Sequence, residues 1–473
     1  MWRCRGETGW GSSWGLYSVG LMLLMLIWLF YGNRKGFKFE LIPFGAFLMG
    51  LAVTGYGTVI DQLGGVLYTD PPYLGENYYV PLEDYKSGGL IIFIMACTFV
   101  PLFAFFVGSL FSGKDYKFRD YVAVTVIFFG VSYIMKIWPA HIIFRAINPE
   151  QYQYAALGLK EFGIADSPYA AYMKHFAQRS WCDDFPLYEN YYMSVEHISD
   201  LVGLIAVICY PLIKMKDKVT PVVTFVISIV TGFFSTVFSL LISANYDRGV
   251  LGSYQIPEKI ASIFDWGIWE YMTGFTVGFI TMLCAAVFSG KCSEETADNS
   301  EPVFKNRAFS YIFNLVLVVF ILGITPARVF GLRFSKMLMY RGYIADDEPL
   351  STILVISLTV VFTVYAAVKM KKNILDNGKN AFGVTPLKFC YVAFPAYLIY
   401  CALNYFITNR GHIFNLPYDQ ITGIPSFFTV LTAQNFEILL MIFSTIILIC
   451  GSVICIHEFK RINVQINQNK TEA

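Results

Sequence analysis

Two groups of side chains in this sequence have the residue types and the spacing of acid–base chemistry. In the first, Glu196 and Asp200 are four residues apart and His197 follows Glu196 directly. If the stretch is helical, the two carboxylates share a face, because residues four apart are neighbours on a helix surface. A carboxylate or an imidazole so placed can accept a proton from a reacting group. We therefore take Glu196, His197 and Asp200 as the candidate catalytic residues.

The second group is His141 with Arg145, which are also four residues apart. An arginine can hold anionic oxygens with two parallel donors, so the pair predicts a site for the head group of a lipid. Nearby Lys136 lies inside the same apolar run, and it must either extend outward or pair with an acid such as Glu196. The alternative for both groups is structural, with the same side chains forming an ion-pair network between helices.

The elements that position these residues are apolar. Of the 473 residues, 56% are hydrophobic and only 15% are charged, and the mean hydropathy is +0.53. A soluble domain has roughly 25% charged residues, so a lipid environment explains the deficit. The formal net charge of +1 argues against a nucleic-acid partner.

Runs of about 20 apolar residues are long enough to cross a bilayer as helices. Eleven such runs are found, near 15–31, 39–60, 89–111, 121–144, 195–213, 220–243, 266–289, 309–325, 350–368, 387–407 and 436–456. The sequence thus predicts an all-α, polytopic membrane helix bundle of about eleven transmembrane helices. Its expected location is the bacterial inner membrane.

The distribution of lysine and arginine predicts the orientation. With the N-terminus outside, 20 of the 35 basic residues fall in six inside segments: 32–38, 112–120, 213–218, 290–307, 369–388 and 457–473. This excess predicts an N-out, C-in topology by the positive-inside rule. It also places the tyrosine-rich segment 145–195 outside, where the spacing of apolar and charged residues over 150–178 predicts one or two short amphipathic helices at the interface.

Short motifs recur in one order and indicate an internal repeat. Lys-Met-Lys ends the fifth and ninth runs (214–216 and 369–371), and Thr-Pro begins the sixth and tenth (220–221 and 385–386). The repeat predicts a three-helix unit and two four-helix units. Their boundaries are 1–113, 114–291 with the extracytoplasmic insertion 145–195, and 292–473.

Several kinds of site have no signature in the sequence. No metalloprotease, phosphate-loop, nucleophile-elbow or dinucleotide motif occurs, and the five histidines have no metal-ligand spacing. We therefore expect neither a metal nor a cofactor.

Three short stretches resemble landmarks of bacterial prolipoprotein diacylglyceryl transferase, a seven-span family with the N-terminus outside. S-W-G-L-Y (13–17) is similar to the start of its first span, and K-S-G-G-L (86–90), preceded by D-P-P-Y-L (70–74), resembles its His-Gly-Gly motif. G-I-T-P-A-R (323–328) resembles its glycine-rich turn that ends in arginine. The resemblance implies transfer of a diacylglyceryl group from phosphatidylglycerol at the outer leaflet.

Carried over residue by residue, the resemblance places Arg328 on the family's arginine and Ser87 on its histidine. His141 occupies the corresponding place in the fourth run. The serine is a departure, because a hydroxyl needs a neighbouring base to take a proton near neutral pH whereas an imidazole does not. The resemblance thus implies an outer-leaflet site more firmly than it implies the reaction.

These observations predict an integral membrane protein that handles a lipid or lipoprotein-linked group at the extracytoplasmic face. Its substrate-binding residues would be His141, Arg145, Arg328 and Ser87, and its partners would be membrane lipids such as phosphatidylglycerol or a lipid-linked substrate. One alternative is a secondary transporter in which Lys136, Glu270 and Glu437 serve a coupled ion. A second alternative is a membrane scaffold without chemistry.

Overall fold

The fold is helical over the residues that the computed structural model describes, which are 13–31, 39–51, 88–161, 163–178, 186–245, 266–291, 304–340, 342–383 and the single residues 446, 449, 450, 453 and 457. Within them the α-helices are α1 Ser13–Tyr31, α2 Ile42–Leu51, α3 Gly88–Cys97, α4 Pro101–Phe111, α5 Phe118–Ile137, α6 Pro139–Ile147, α7 Pro149–Glu161, α8 Pro168–Gln178, α9 Pro186–Tyr210, α10 Val219–Asn245, α11 Trp266–Phe288, α12 Arg307–Val318, α13 Thr325–Tyr340 and α14 Glu348–Met370.

Six helical segments of the described chain are long and apolar enough to cross a membrane: Phe118–Ile137, Tyr191–Met215, Val219–Ser239, Tyr271–Phe288, Arg307–Leu332 and Glu348–Asp376. The number is seven if the pair Leu90–Cys97 and Pro101–Phe111, bent by 49°, forms one span. These helices indicate a multi-pass membrane protein and confirm the predicted helical class. The tenth predicted run lies outside the described residues, so the count of eleven, the orientation and the repeat stay predictions.

The chain divides into two compact units. One contains residues 51–284, and the other contains residues 1–50 and 285–473. The three-unit division predicted above concerns sequence repeats, and it stays a prediction.

In the 51–284 unit, α10 packs against α3 and α4 along a face of small residues. A side chain added at Gly108 of α4 would place its Cβ 2.9 Å from the Cα of Thr220. The buried hydroxyl residues of α10 recur every three or four positions, at Thr220, Thr224, Ser228, Thr231, Ser235 and Ser239. Small residues at this spacing let two helix backbones approach closely, which is a common basis of packing between membrane helices.

Helices α5 and α9 form the other close pair of this unit, and they run antiparallel. Asp120 near the start of α5 contacts Tyr210 at the end of α9, whereas Lys136 near the end of α5 contacts Glu196 near the start of α9. Midway between these contacts, a Cβ at Gly203 would lie 2.9 Å from the Phe128 ring and 3.0 Å from its carbonyl oxygen. Glycine at this position keeps the pair close.

The apolar run predicted at 121–144 is two helices and not one. Helix α5 ends at Ile137, Trp138 adopts a non-helical conformation (φ −154°), and Pro139 occupies the first turn of α6. A proline inside a helix removes a backbone donor and clashes with the preceding turn, whereas in a first turn it is tolerated. The sequence does not reveal this break, because the apolar run continues across it.

Helices α6, α7 and α8 all pack against α9, and we call them together the helical cap. Two of them, α7 and α8, span the region in which one or two short amphipathic helices were predicted. The cap lies at the end of the α5–α9 pair that carries Lys136 and Glu196.

In the other unit, α13 packs against α14, and Tyr17 of α1 stacks on Phe47 of α2 with ring centroids 5.5 Å apart. Just before α2, the buried carboxylate of Glu40 accepts hydrogen bonds from the backbone N–H of Ala381 at 2.8 Å and from the Ser310 hydroxyl at 3.3 Å. This acid therefore joins the start of α2 to α12 and to the segment that follows α14.

The two Lys-Met-Lys motifs mark similar helix ends in the two units. Each long helix passes into a π-helical turn there, at Pro211–Met215 after α9 and at Lys371–Asp376 after α14. Each turn is followed by a left-handed residue, Lys216 (φ 49°) in one case and Gly378 (φ 61°) in the other. As predicted, Thr220 and Pro221 lie in the first turn of the next helix, α10.

Candidate functional site

The first predicted group is assembled around Lys136. Its ammonium pairs with the Glu196 carboxylate and lies 3.9 Å from Oδ1 of Asp200. Glu196 and Asp200 therefore share one face of α9, and the lysine pairs with the acid that the sequence suggested. The exposed fractions of the Lys136 and Glu196 side chains are 16% and 21%, so water has little access to this pair.

Two hydroxyl groups also donate hydrogen bonds to the carboxylates. The Tyr172 hydroxyl of α8 donates to Oε1 of Glu196 at 2.5 Å, and the Ser132 hydroxyl of α5 donates to Oδ1 of Asp200. We call Ser132, Lys136, Tyr172, Glu196 and Asp200 the charged cluster. Hydrogen bonds to an ionised acceptor are among the stronger ones in proteins, so the cluster holds α5, α8 and α9 together.

The cluster carries unequal numbers of opposite charges. Two carboxylates face one ammonium, which leaves one negative charge when all three groups are ionised. Like charges in a poorly solvated site cost free energy, and a bound proton or cation removes that cost.

His141 lies beside the cluster, buried in the helical cap. Its Nε2 is 2.9 Å from the backbone carbonyl oxygen of Lys136, and its Nδ1 is 2.5 Å from the Tyr191 hydroxyl. A carbonyl oxygen only accepts, so Nε2 carries the proton and Nδ1 accepts from Tyr191 if the imidazole is neutral. Burial lowers the pKa of His141, which favours this neutral form.

Aromatic rings close around the imidazole. The rings of Tyr169 and Tyr172 meet it edge-on, with centroids 4.8 Å and 4.6 Å away. Both nitrogens and the ring edges are therefore in contact with protein. In this conformation His141 links the cap to α5 and α9.

Of the remaining predicted residues, Arg145 and His197 do not join the cluster. Arg145 is exposed, with its guanidinium 5.2 Å from the centre of the Tyr152 ring. His197 is buried, but adjacent residues on a helix point in different directions, so it does not share the face of Glu196. Arg328 is half-buried on α13, in the other compact unit. Ser87 lies outside the described residues.

The acids named for the transporter alternative are placed only in part. Glu270 lies on α11, and Glu437 lies outside the described residues. Within the described part of the chain, no three or more His, Cys, Asp and Glu side chains come together in a group that could hold a metal ion.

Sequence reasoning missed two members of the cluster, Ser132 and Tyr172. Ser132 is one turn before Lys136 on α5, so its place on the same face was readable from the spacing of four. Tyr172 was one of many tyrosines in segment 145–195, and nothing local distinguishes it from an interfacial anchor. Only the packing of α8 on α9 brings it to Glu196.

No protein-family model, no curated protein and no solved structure matches this chain. The resemblance to the diacylglyceryl transferase family therefore rests on the three sequence stretches alone. The chemistry of the site therefore follows from its own geometry, which is that of an acid–base cluster under a helical cap.

Proposed function

We propose that this protein is a secondary transporter in which the charged cluster takes up and releases one proton per cycle. The observation that carries the proposal is the set of two carboxylates around one ammonium, on helices long and apolar enough to span a membrane. Ionisable groups inside a span are costly and usually serve a pathway for ions or substrate. One bound proton makes the three charged groups neutral together.

The position of the cluster along its helix supports this function. The span begins at Tyr191, so Glu196 lies about 8 Å and Asp200 about 14 Å along the helix axis at the usual rise per residue. The bilayer core is about 30 Å thick, which places Asp200 near mid-depth. Binding sites of secondary transporters commonly lie there. Tyr172, Glu196, Lys136 and Asp200 thus form a polar series from the cap inward.

The test measures proton binding without a known substrate. Proteoliposomes adsorbed on a solid-supported membrane are exposed to a sudden drop in pH, and the displaced charge is recorded. We expect a transient current from the wild type and its loss in Asp200→Asn and Glu196→Gln, because each change leaves one carboxylate against one ammonium, with no excess negative charge to take up a proton. Both variants are first checked for monodispersity and for their thermal midpoint.

The matched control is Asp115→Asn, which removes an exposed acid near the start of α5, at the opposite end of the α5–α9 pair. It should leave the current unchanged. A wild-type current that survives both cluster substitutions, or no current from folded wild type, would contradict the proposal.

A second candidate is the lipid-group transferase that the resemblance implies, acting on phosphatidylglycerol. It is supported by the position of Glu196, which lies directly beneath the helical cap, where Tyr172 contacts it. Incubation with phosphatidylglycerol vesicles, followed by mass spectrometry of the lipids, would show turnover that is lost in Glu196→Gln. If neither current nor turnover is found, the scaffold function remains. Each of these proposals includes the N-out orientation and a location in the bacterial inner membrane.

A further inference from the structure

At the end of the 51–284 unit opposite the helical cap, two loops expose a dense set of cations. One loop joins α4 to α5 and the other joins α9 to α10. We call the exposed lysines of these loops, together with Arg119 in the first turn of α5, the basic surface: Lys114, Lys117, Arg119, Lys214, Lys216 and Lys218. This part of the molecule plays no role in the proposed transport site.

Hydrogen bonds hold the two loops side by side. The Tyr116 hydroxyl of the first loop donates to Oδ2 of Asp217 in the second at 2.7 Å. The Tyr210 hydroxyl at the end of α9 donates to Oδ1 of Asp120 in α5 at 3.0 Å. Burial raises the pKa of Tyr116, which keeps this hydroxyl protonated as the donor. The six cations therefore belong to one surface.

Two of the three acids in or next to these loops, Asp217 and Asp120, are buried away from the exposed cations. Asp217 is buried and accepts hydrogen bonds from the backbone N–H of Val219 at 2.8 Å and of Thr220 at 3.3 Å. Asp120 is buried and accepts from the backbone N–H of Lys117 at 2.8 Å. Only Asp115 is an exposed acid in these two loops. The basic surface thus carries six positive charges against one negative charge.

The basic surface lies next to exposed apolar residues at the end of a predicted membrane span. Leu212 and Ile213, the two residues before Lys214, are 46% and 79% exposed at the end of the span Tyr191–Met215. Apolar side chains this exposed at the end of a span lie against lipid, and the lysines that follow then lie at the level of the lipid phosphates. Clusters of four to eight basic residues in this position are attracted to anionic lipids.

We propose that the basic surface binds the head groups of anionic phospholipids in the leaflet that it faces. The phosphates would lie against the lysines of both loops, while the acyl chains pack on Leu212 and Ile213. The inference does not depend on the transport function, because it uses none of the residues of the charged cluster.

The test compares two double variants of the full-length protein in neutral detergent. Lys214→Gln/Lys218→Gln removes two charges of the basic surface. Lys160→Gln/Lys174→Gln removes two exposed lysines of the helical cap at the opposite end. Each protein is titrated with phosphatidylglycerol or with zwitterionic phosphatidylcholine, and retained lipid is counted by native mass spectrometry. We expect at least about tenfold weaker phosphatidylglycerol retention in the first variant and none of this loss in the second.

Thermal midpoints measured without lipid are used to check that both variants are folded. Equal losses in the two variants, or equal retention of both lipids by the wild type, would overturn the proposal. A further arm adds inorganic phosphate as competitor, with chloride at the same ionic strength as the reference. Equal competition by the two salts supports a lipid surface, whereas stronger competition by phosphate would overturn it in favour of a site for the free anion.

Discussion

The two ends of the α5–α9 helix pair each bury acidic side chains, but they satisfy them differently. At the start of α5, Asp120 accepts from the backbone N–H of Lys117 three residues earlier and from the hydroxyl of Tyr210. At the other end, Glu196 and Asp200 receive the Lys136 ammonium from a different helix. The first arrangement is a helix cap, and the second is an ion cluster.

The local backbone is enough to stabilise the first kind of buried acid, but it does not stabilise the second kind. A carboxylate at a helix N-terminus is stabilised by unpaired backbone donors and by the helix dipole, and no further role is needed for it. Glu196 and Asp200 lie about three and four turns into α9, where the backbone N–H groups already bond within the helix. They need a cation from elsewhere, which is why we propose the functional site at this end.

The largest expected effect follows from removing that cation. Lys136→Met leaves two acids without their counter-charge, and breaking a buried ion pair in this way typically costs about 3–5 kcal/mol. The free energy of unfolding, measured by titration with a denaturing detergent in mixed micelles, should fall by about that amount. Adding Glu196→Gln to Lys136→Met should restore part of it, because one uncompensated charge is then gone.

Lys117→Met is the matched control at the other end of the pair. The lysine there is exposed, and it contributes to the cap through its backbone N–H, which methionine keeps. We expect a change below about 0.5 kcal/mol, as for most surface substitutions. Equal effects of the two substitutions would show that both ends work alike and would remove the distinction between cap and cluster.

A smaller effect is expected midway between the two ends. Gly203→Ala pushes a methyl group into the Phe128 ring and carbonyl oxygen, which lie 2.9 Å and 3.0 Å from the new Cβ position. Overpacking of this kind costs about 1–3 kcal/mol. Because the contact sets the spacing of α5 and α9, the substitution should also weaken the charged cluster, which a reduced pH-jump current in proteoliposomes would show.

Gly130→Ala tests whether the effect is one of packing. Gly130 lies on the same helix as Phe128, but nothing lies within 4 Å of its added Cβ. Alanine is the better helix former, so the free energy of unfolding should stay the same or rise by up to about 1 kcal/mol. A loss as large as that of Gly203→Ala would mean that the cost lies in the helix backbone and not in the contact.

Local sequence patterns predicted the helices and part of the site. The length of the apolar runs gave the membrane helices, and the spacing of four between Glu196 and Asp200 placed both acids on one face of α9. The need of Lys136 for a counter-charge pointed to Glu196, because a charge in an apolar run must either reach water or be paired. Each of these inferences needs only the geometry of a single helix or the free-energy cost of a single buried charge.

What the sequence did not show depends on how the chain turns back on itself. The turn at Trp138 and Pro139 is hidden in an apolar run, and after it His141 points inward while Arg145 is exposed. A spacing of four therefore failed to bring these two residues to one site. Tyr172 reaches Glu196 only through the docking of α8, which leaves no trace in periodicity.

The smallest expected difference between a variant and its matched control concerns the tyrosine–acid hydrogen bonds at the two ends. Tyr172→Phe removes a fully buried donor to Glu196, and a hydrogen bond to a charged group contributes about 1.5–3 kcal/mol. Tyr210→Phe removes a partly exposed donor to Asp120, which keeps the Lys117 N–H, so about 0.5–1 kcal/mol is expected. The difference, about 1 kcal/mol, is measurable by the same detergent titration. A larger loss in Tyr210→Phe would reverse the comparison, since it would make the cap end the one whose acid depends most on a partner from another helix.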